Sequence, residues 1–252
     1  MVIDIHTHLW GERFEEDKRE LLKAMELYGI DRIYVSGLNG ETPDEAEVDE
    51  ANRQVAAFMA EHPGRVRGYI YVSPENRNAQ DVIRRGVEDA GMDGIKLWIS
   101  RRCDDPCVYP VAELAIRYNI PILIHAFHKA NGQRTHESLG ENVANLARRY
   151  PEAKLIMAHL GGNCYNGIRA VRTLPNVWVD HSDTIFRGDD LPYTLEALGA
   201  DRILFGSDMP GSYAVNLGQV QALDMDEEGR EKILWKNAEK IFSREFRPGG
   251  AQ

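Results

Sequence analysis

Two short runs at opposite ends of the chain decide its fold: Val2-Ile3-Asp4-Ile5-His6-Thr7-His8 and Arg202-Ile203-Leu204-Phe205-Gly206-Ser207-Asp208. Each is an apolar, β-branched stretch closed by side chains that bind metals or move protons. That is the pattern of a buried strand with chemistry at its C-terminal end. Taken as strands Val2–His6 and Arg202–Ser207, they frame six more runs of the same kind: Arg32–Ser36, Arg67–Val72, Gly94–Ile99, Pro121–His125, Lys154–His159 and Val177–Asp180. Their spacing of roughly 30 residues is that of a strand plus a crossover helix. Helical patterns fill the gaps at Lys18–Tyr28, Glu45–Glu61, Asp81–Asp89, Val111–Tyr118, Glu141–Tyr150 and Glu231–Phe242. Gly29, Gly91 and Gly199 stand where a left-handed residue ends a helix, and Pro63, Pro151 and Pro175 where a helix cannot continue.

This alternation suits an open doubly wound sheet as well as a closed barrel. The polar strand ends separate the two. They come from the first, fifth, sixth and eighth strands, and only closure brings the first and eighth together. The expected fold is therefore α/β, a single-domain (β/α)8 TIM barrel over residues 1–252, with 243–252 as a frayed tail. A length of 252 residues agrees with such a barrel.

The composition, 43% hydrophobic and 28% charged, supplies a sizeable core. A formal net charge of -10 argues against nucleic acid or an anionic membrane as partner and points to a small-molecule substrate. Apolar runs are too short to span a bilayer, and the N-terminus enters a strand pattern at once. Three cysteines make no disulfide framework, so a cytoplasmic, reducing compartment is expected.

His6 and His8 are two apart and so share one strand face. Alone, such a pair is equally an ordinary pair of polar residues. His125 closes Pro-Ile-Leu-Ile-His, His159 closes Leu-Ile-Met-Ala-His, and Asp208 closes the eighth run. Five metal-competent side chains on converging strand ends point to a metal site, with ligands suited to zinc, manganese or iron. Three or four ligands that leave a water position make a catalytic site.

As an ordered set, Asp4-Ile5-His6-Thr7-His8, Gly94-Ile95-Lys96-Leu97, Ile124-His125-Ala126, Ala158-His159-Leu160-Gly161-Gly162 and Gly206-Ser207-Asp208 resemble the motifs of the amidohydrolase superfamily. The likeness is greatest to the amidohydrolase-2 branch, which contains aminocarboxymuconate-semialdehyde decarboxylase, and it runs from residue 3 to about 242. His62-Pro63-Gly64-Arg65 fits that branch too. The resemblance implies that His6, His8, His125 and Asp208 hold one divalent metal, zinc first, with manganese or iron as alternatives. It implies that Asp208 also shuttles protons, and that His159 assists at the reacting oxygen or ligates a second metal. In two-metal relatives a carboxylated lysine on the fourth strand bridges the metals; in this branch one metal is usual, and Lys96 then pairs with substrate or a carboxylate. A homo-oligomer is a further implication.

Around the site, Trp10, Arg101 and Arg102 are expected to bind substrate, and the arginines suggest that it carries a carboxylate. Arg13, Lys129 and Arg134 lie on the same face; a solvated basic loop is the alternative. His181 either lines the pocket or sits at the surface. Asp4 either orients a ligand histidine or makes a core hydrogen bond. His128 and His136 read as solvated, Cys103 and Cys107 as structural, and Met209 to about Asp226 as the one stretch long enough for a lid. The expected reaction is hydrolysis of an amide, ester or lactone by a metal-activated water. The alternative, which rests on the branch resemblance, is nonoxidative decarboxylation or hydration of an unsaturated or aromatic carboxylate. A metal-free member is a third reading.

Overall fold

The computed structural model describes residues 1–182 and 187–246. Its strands are β1 (Ile3–Trp10), β2 (Arg32–Leu38), β3 (Val66–Tyr71), β4 (Gly94–Leu97), β5 (Ile122–Ile124), β6 (Leu155–Met157), β7 (Val177–Asp180) and β8 (Ile203–Leu204). They pair in parallel in sequence order. The seam between β8 and β1 is also bonded: Ile5 N–H donates to Phe205 O at 3.0 Å, Asp208 N–H to His6 O at 2.7 Å, and Thr7 bridges to Asp208. The sheet is closed, as the polar strand ends required.

β1 runs four residues past His6 because Leu9 and Trp10 keep pairing with Gly37 and Leu38. β5, β6 and β8 are shorter than their apolar runs, since the chain turns aside before the chemical residues. His159 (φ 59°) and Asp208 (φ 65°) take left-handed backbone conformations just after β6 and β8. Such backbone costs a non-glycine residue about 1–2 kcal/mol and persists where surrounding structure imposes it.

Ten helices pack outside the strands among the described residues: α1 (Phe14–Tyr28), α2 (Glu45–Glu61), α3 (Ala79–Glu88), α4 (Tyr109–Tyr118), α5 (Gly140–Arg149), α6 (Cys164–Val171), α7 (Asp190–Leu198), α8 (Tyr213–Gln221), α9 (Glu227–Glu231) and α10 (Asn237–Phe242). A π-helical turn, Lys232–Lys236, joins the last two. α6, α7 and α8 had no expectation of their own. The stretch read as a lid is instead a 3-10 turn, Pro210–Ser212, followed by α8. Tyr213 of α8 is fully buried, its ring 5.8 Å from that of Tyr28 on α1. A segment anchored by a buried aromatic is part of the wall, not a cover.

The lower barrel is filled by Ile3, Ile5, Tyr34, Tyr69, Leu123 and Ile156, and α10 plugs it from below with Ile241 and Phe242. Phe242 stacks on Tyr34 with ring centroids 3.7 Å apart. The buried Lys154 ammonium donates to the carbonyls of Asn119, Ile241 and Ser243 at 3.1, 3.0 and 2.8 Å. Phe246 meets Trp178 edge-on at 5.8 Å. Residues 243–246, expected to fray, are thus tied to the barrel floor; the rest of that tail lies outside the described residues. No helix among the described residues is long and apolar enough to cross a membrane.

Candidate metal centre

The upper barrel gathers four imidazoles, each with one nitrogen engaged from behind. His6 Nδ1 lies 3.0 Å from Asp180 Oδ2, and His8 Nδ1 is 2.8 Å from Ser36 Oγ. His159 Nδ1 is 2.9 Å from the Ser182 carbonyl, and His125 Nε2 is 2.9 Å from Glu137 Oε1. A carboxylate or carbonyl accepts only, so these nitrogens of His6, His159 and His125 carry the proton, and Ser36 can accept from His8 in the same way. Burial keeps the rings of His6, His8 and His125 neutral: it takes His6 well below its ordinary value, His8 to about 4 and His125 to about 3. A neutral imidazole has one proton, so the remaining nitrogens present lone pairs.

Those lone pairs face one another. His6 Nε2 is 3.0 Å from His8 Nε2 and 3.5 Å from Asp208 Oδ1, and His8 Nε2 is 3.1 Å from the same oxygen. His125 Nδ1 stands 3.1 Å from His159 Nε2. Acceptors crowded in this way repel unless a cation lies among them. The donor set, imidazole nitrogens and a carboxylate, is one that zinc, manganese or iron takes. It fits a divalent metal.

His6, His8 and Asp208 place their donor atoms within 4.8 Å of one another, as do His6, His159 and Asp180. Asp180 is already committed: its Oδ1 accepts from His159 N–H, Ser182 N–H and Ser182 Oγ, and its Oδ2 from His6. It orients the ligands rather than joining them. His125, expected as the fourth ligand, has its free Nδ1 facing His159 Nε2 beside the other donors, because Glu137 holds its other nitrogen. Lys96 is fully buried on β4 and donates from Nζ to His6 Nε2 at 3.0 Å. Burial takes it down to about 8, against the pull of Asp208 and Asp180. A metal on His6 would compete with this ammonium.

The backbone beneath is tight. A Cβ at Gly206 would meet His6 Cβ at 3.1 Å and Asp180 Cβ at 3.2 Å, so only glycine lets β8 pass there without displacing its neighbours. Gly162 (φ 73°) receives the loop after β5 in a similar way, with His128 N 2.6 Å from where a Cβ would sit.

Above the donors opens a cavity of about 250 Å3. His8, His125, His159 and Asp208 form its floor, Trp10, Trp98 and Phe127 its walls, and Lys129 and Arg134 part of its rim. Trp10 and Trp98 meet edge to face at 5.3 Å. Trp10 thus lines the cavity, beside Trp98.

Arg101, Arg102 and His181 do not line this cavity. Arg101 pairs with Glu75 and donates to His136 Nε2 at 3.1 Å, and Arg102 Nε donates to Thr135 O at 3.1 Å. Both guanidiniums are spent fastening the loop after β5. His181 follows Asp180 on β7, and strand alternation turns it out to the helix layer. There it is buried edge-on against Phe205 at 5.4 Å, and its carbonyl accepts from Asn216 of α8. Asp4 binds β1 to β8 by accepting from Ser207 Oγ at 2.5 Å and Ser207 N–H at 3.1 Å, so Asp180 takes the role of orienting a histidine. Burial pushes the thiols of Cys103 and Cys107 up to about 12 and that of Cys164 to about 11, which suits inert packing groups.

Sequence reasoning missed Asp180, Ser182, Ser36, Trp98 and Glu137. Asp180 had a signal, as an acid closing an apolar strand run like the other strand-end residues. Glu137 had none, lying in a polar loop.

A family model described as amidohydrolase, that of the amidohydrolase-2 family, matches residues 3–244. The chain belongs to this family. No curated protein sequence matches this chain. Among solved structures it resembles 2,6-dihydroxybenzoate decarboxylase from Rhizobium at a TM-score of 0.77 and 18% identity, covering 96% of this chain and 98% of that one. It also resembles a dihydroxybenzoic acid decarboxylase from a Polaromonas species, solved with manganese and 2-nitroresorcinol (TM-score 0.75, 19% identity, 96% of each chain). A third is 5-carboxyvanillate decarboxylase from Novosphingobium aromaticivorans, complexed with manganese and 4-hydroxy-3-methoxy-5-nitrobenzoic acid (TM-score 0.77, 18% identity, 96% of each chain). At these identities the structures speak for the shared fold.

Proposed function

We propose that this amidohydrolase-family protein is a metal-dependent nonoxidative decarboxylase of a small hydroxylated aromatic acid. The observation that carries the reading is the aromatic slot, formed by Trp10, Trp98 and Phe127, directly above the converging donors. Its volume of about 250 Å3 is small beside the roughly 300–1,000 Å3 of drug-sized sites, and suits one substituted ring. That the solved relatives are decarboxylases of dihydroxybenzoate and carboxyvanillate supports the same reading over hydrolysis.

His6, His8 and Asp208 would hold the metal, with His125 Nδ1 and His159 Nε2 as further donors beside them. When bound, it supplies a Lewis acid that grips the substrate's oxygens and draws charge away from the bond that breaks. Manganese, as in two of the solved relatives, or zinc matches the donors.

Decarboxylation breaks the bond between ring and carboxyl carbon, leaves the electron pair on the ring and requires one proton at that carbon. Asp208 is the carboxylate placed to deliver it. Its side chain is one-fifth exposed, into the cavity. Glu137, the other carboxylate there, has both oxygens occupied by Lys129, Gln133 and His125. Asp208 is held well below the ordinary carboxylate range: burial pushes it up, but the polar rings of His8, His159 and His6 gathered round it outweigh that. It therefore starts as an anion and must first collect the proton it passes on. Trp10 and Trp98 hold the ring and exclude water. Lys129 and Arg134, already paired with Glu137 and Glu41, contribute a positive field at the mouth rather than a direct grip on the carboxylate.

The test supplies metal-stripped protein, reloaded with Mn2+ or Zn2+, with a panel of hydroxybenzoates and, separately, lactones. Release of CO2 with one equivalent of the matching phenol is expected. Ring-opened acid from a lactone, with no CO2 from any benzoate, would shift the reading to hydrolysis. Full activity after exhaustive chelation would overturn metal dependence.

A further inference from the structure

We propose that Glu137 is a positioning residue, which selects the ring nitrogen that His125 turns toward the metal; the inference rests on the metal-dependent reading above. The connection after β5 leaves the barrel at Ala126 and returns at Ser138, and a bridge between these two residues sets Glu137 beside His125. Glu137 is only 2% exposed. Its Oε1 accepts from His125 Nε2 at 2.9 Å and Lys129 Nζ at 2.7 Å. Its Oε2 accepts from Lys129 Nζ at 2.8 Å, Gln133 Nε2 at 2.8 Å and, more loosely, Arg134 N–H at 3.4 Å.

Apart from His125, whose ring can donate or accept, every one of these partner groups can only donate. An ionised carboxylate can only accept, so the proton of His125 is held on Nε2. Nδ1 is left bare, 3.1 Å from His159 Nε2, and the Ser182 carbonyl fixes His159 in the matching way. The two lone pairs meet because Glu137 on one side and Ser182 on the other hold both protons away. The Lys129 ammonium balances the buried charge that this requires.

The loop that carries Glu137 is itself fastened. Arg134 pairs with Glu41 at 2.8 Å, Arg102 donates to Thr135 O, and His128 N–H donates to Gly161 O at 2.9 Å. The arginine expected to bind substrate instead helps hold the residue that aims a metal-facing histidine.

The decisive experiment titrates metal-free protein with Mn2+ and follows free Mn2+ by electron paramagnetic resonance. Glu137→Ala is expected to weaken binding by about 10–100-fold, the usual consequence of removing a partner behind a ligand. Glu137→Gln keeps an acceptor oxygen toward Nε2–H and is expected to bind close to the unmodified protein. Unchanged affinity in Glu137→Ala overturns the proposal. Equal weakening in both variants also overturns it, because Glu137 would then act only through its charge pair with Lys129. An unmodified protein that binds no Mn2+ overturns the metal reading itself, and this inference with it. A measurement that needs no variant is the 15N–1H correlation of the His125 ring in the metal-free protein. Protonated Nε2 is expected, and protonated Nδ1 overturns the proposal.

Discussion

The two ends of the barrel are built from the same strands and differ in almost every physical respect. At the lower end Ile3, Ile5, Tyr34, Tyr69 and Phe242 pack as an apolar core, the buried Lys154 ammonium is met by backbone carbonyls, and the Tyr69 hydroxyl is satisfied by Ile5 O at 2.9 Å. At the upper end His6, His8, Lys96, His159 and Asp180 are buried nearly as deeply, yet their polar atoms face one another. Left-handed backbone at the upper strand ends, at His159 and Asp208, re-aims a side chain, whereas at the lower end Asn119 takes it only to cap α4. The lower end stabilises the fold through buried area; the upper end holds donors in mutual conflict that a cation relieves. Stability and function are segregated along the strand axis.

That segregation can be broken from either end. Asp208→Asn is expected to cost the most, lowering turnover by roughly 10²–10⁴-fold through loss of the proton carrier, with thermal unfolding of the metal-free protein little changed. A variant that retains turnover would remove Asp208 from the chemistry. Phe242→Ala should show the opposite profile. It vacates the plug against Tyr34, and an unfolding free energy lower by about 3–5 kcal/mol is expected by denaturant titration. Activity per folded molecule should hold, and an unchanged midpoint would show that α10 is not the floor of the core.

Asp180→Asn sharpens the comparison, because it acts on orientation alone. Removing the charge behind His6 should weaken Mn2+ binding by about 10–100-fold, and an unchanged dissociation constant would assign Asp180 to packing. The smallest effect is expected from Arg101→Ala. Its exposed ion pair with Glu75 is worth about 0–1 kcal/mol, so KM for the substrate should stay near its original value. A large rise would return Arg101 to the substrate site.

Much of this was legible before any coordinates. The alternation of apolar and polar residues placed eight strands, and the positions of His6, His8, His125, His159 and Asp208 called for closure. β5, β6 and β8 were read too long, because Ala158 and Phe205 are as apolar as the strands they follow, and apolar character alone does not reveal where pairing stops. Arg101 and Arg102 were read as substrate contacts, since both residue type and face were right; which anion or carbonyl a guanidinium reaches depends on loops that fold back from elsewhere.

The sequence by itself determined which residues meet at the barrel mouth, because strand order and the period of two leave side chains at strand ends few places to go. Only the tertiary structure decided how they meet. The protons on His6, His125 and His159 are placed by Asp180, Glu137 and the Ser182 carbonyl, which lie between 12 and 174 positions away in sequence for the side-chain pairs. The His6–Asp180 bond exists only once the barrel has closed, and the His125–Glu137 bond only once the loop after β5 has folded back at the Ala126–Ser138 bridge, so no local pattern records either.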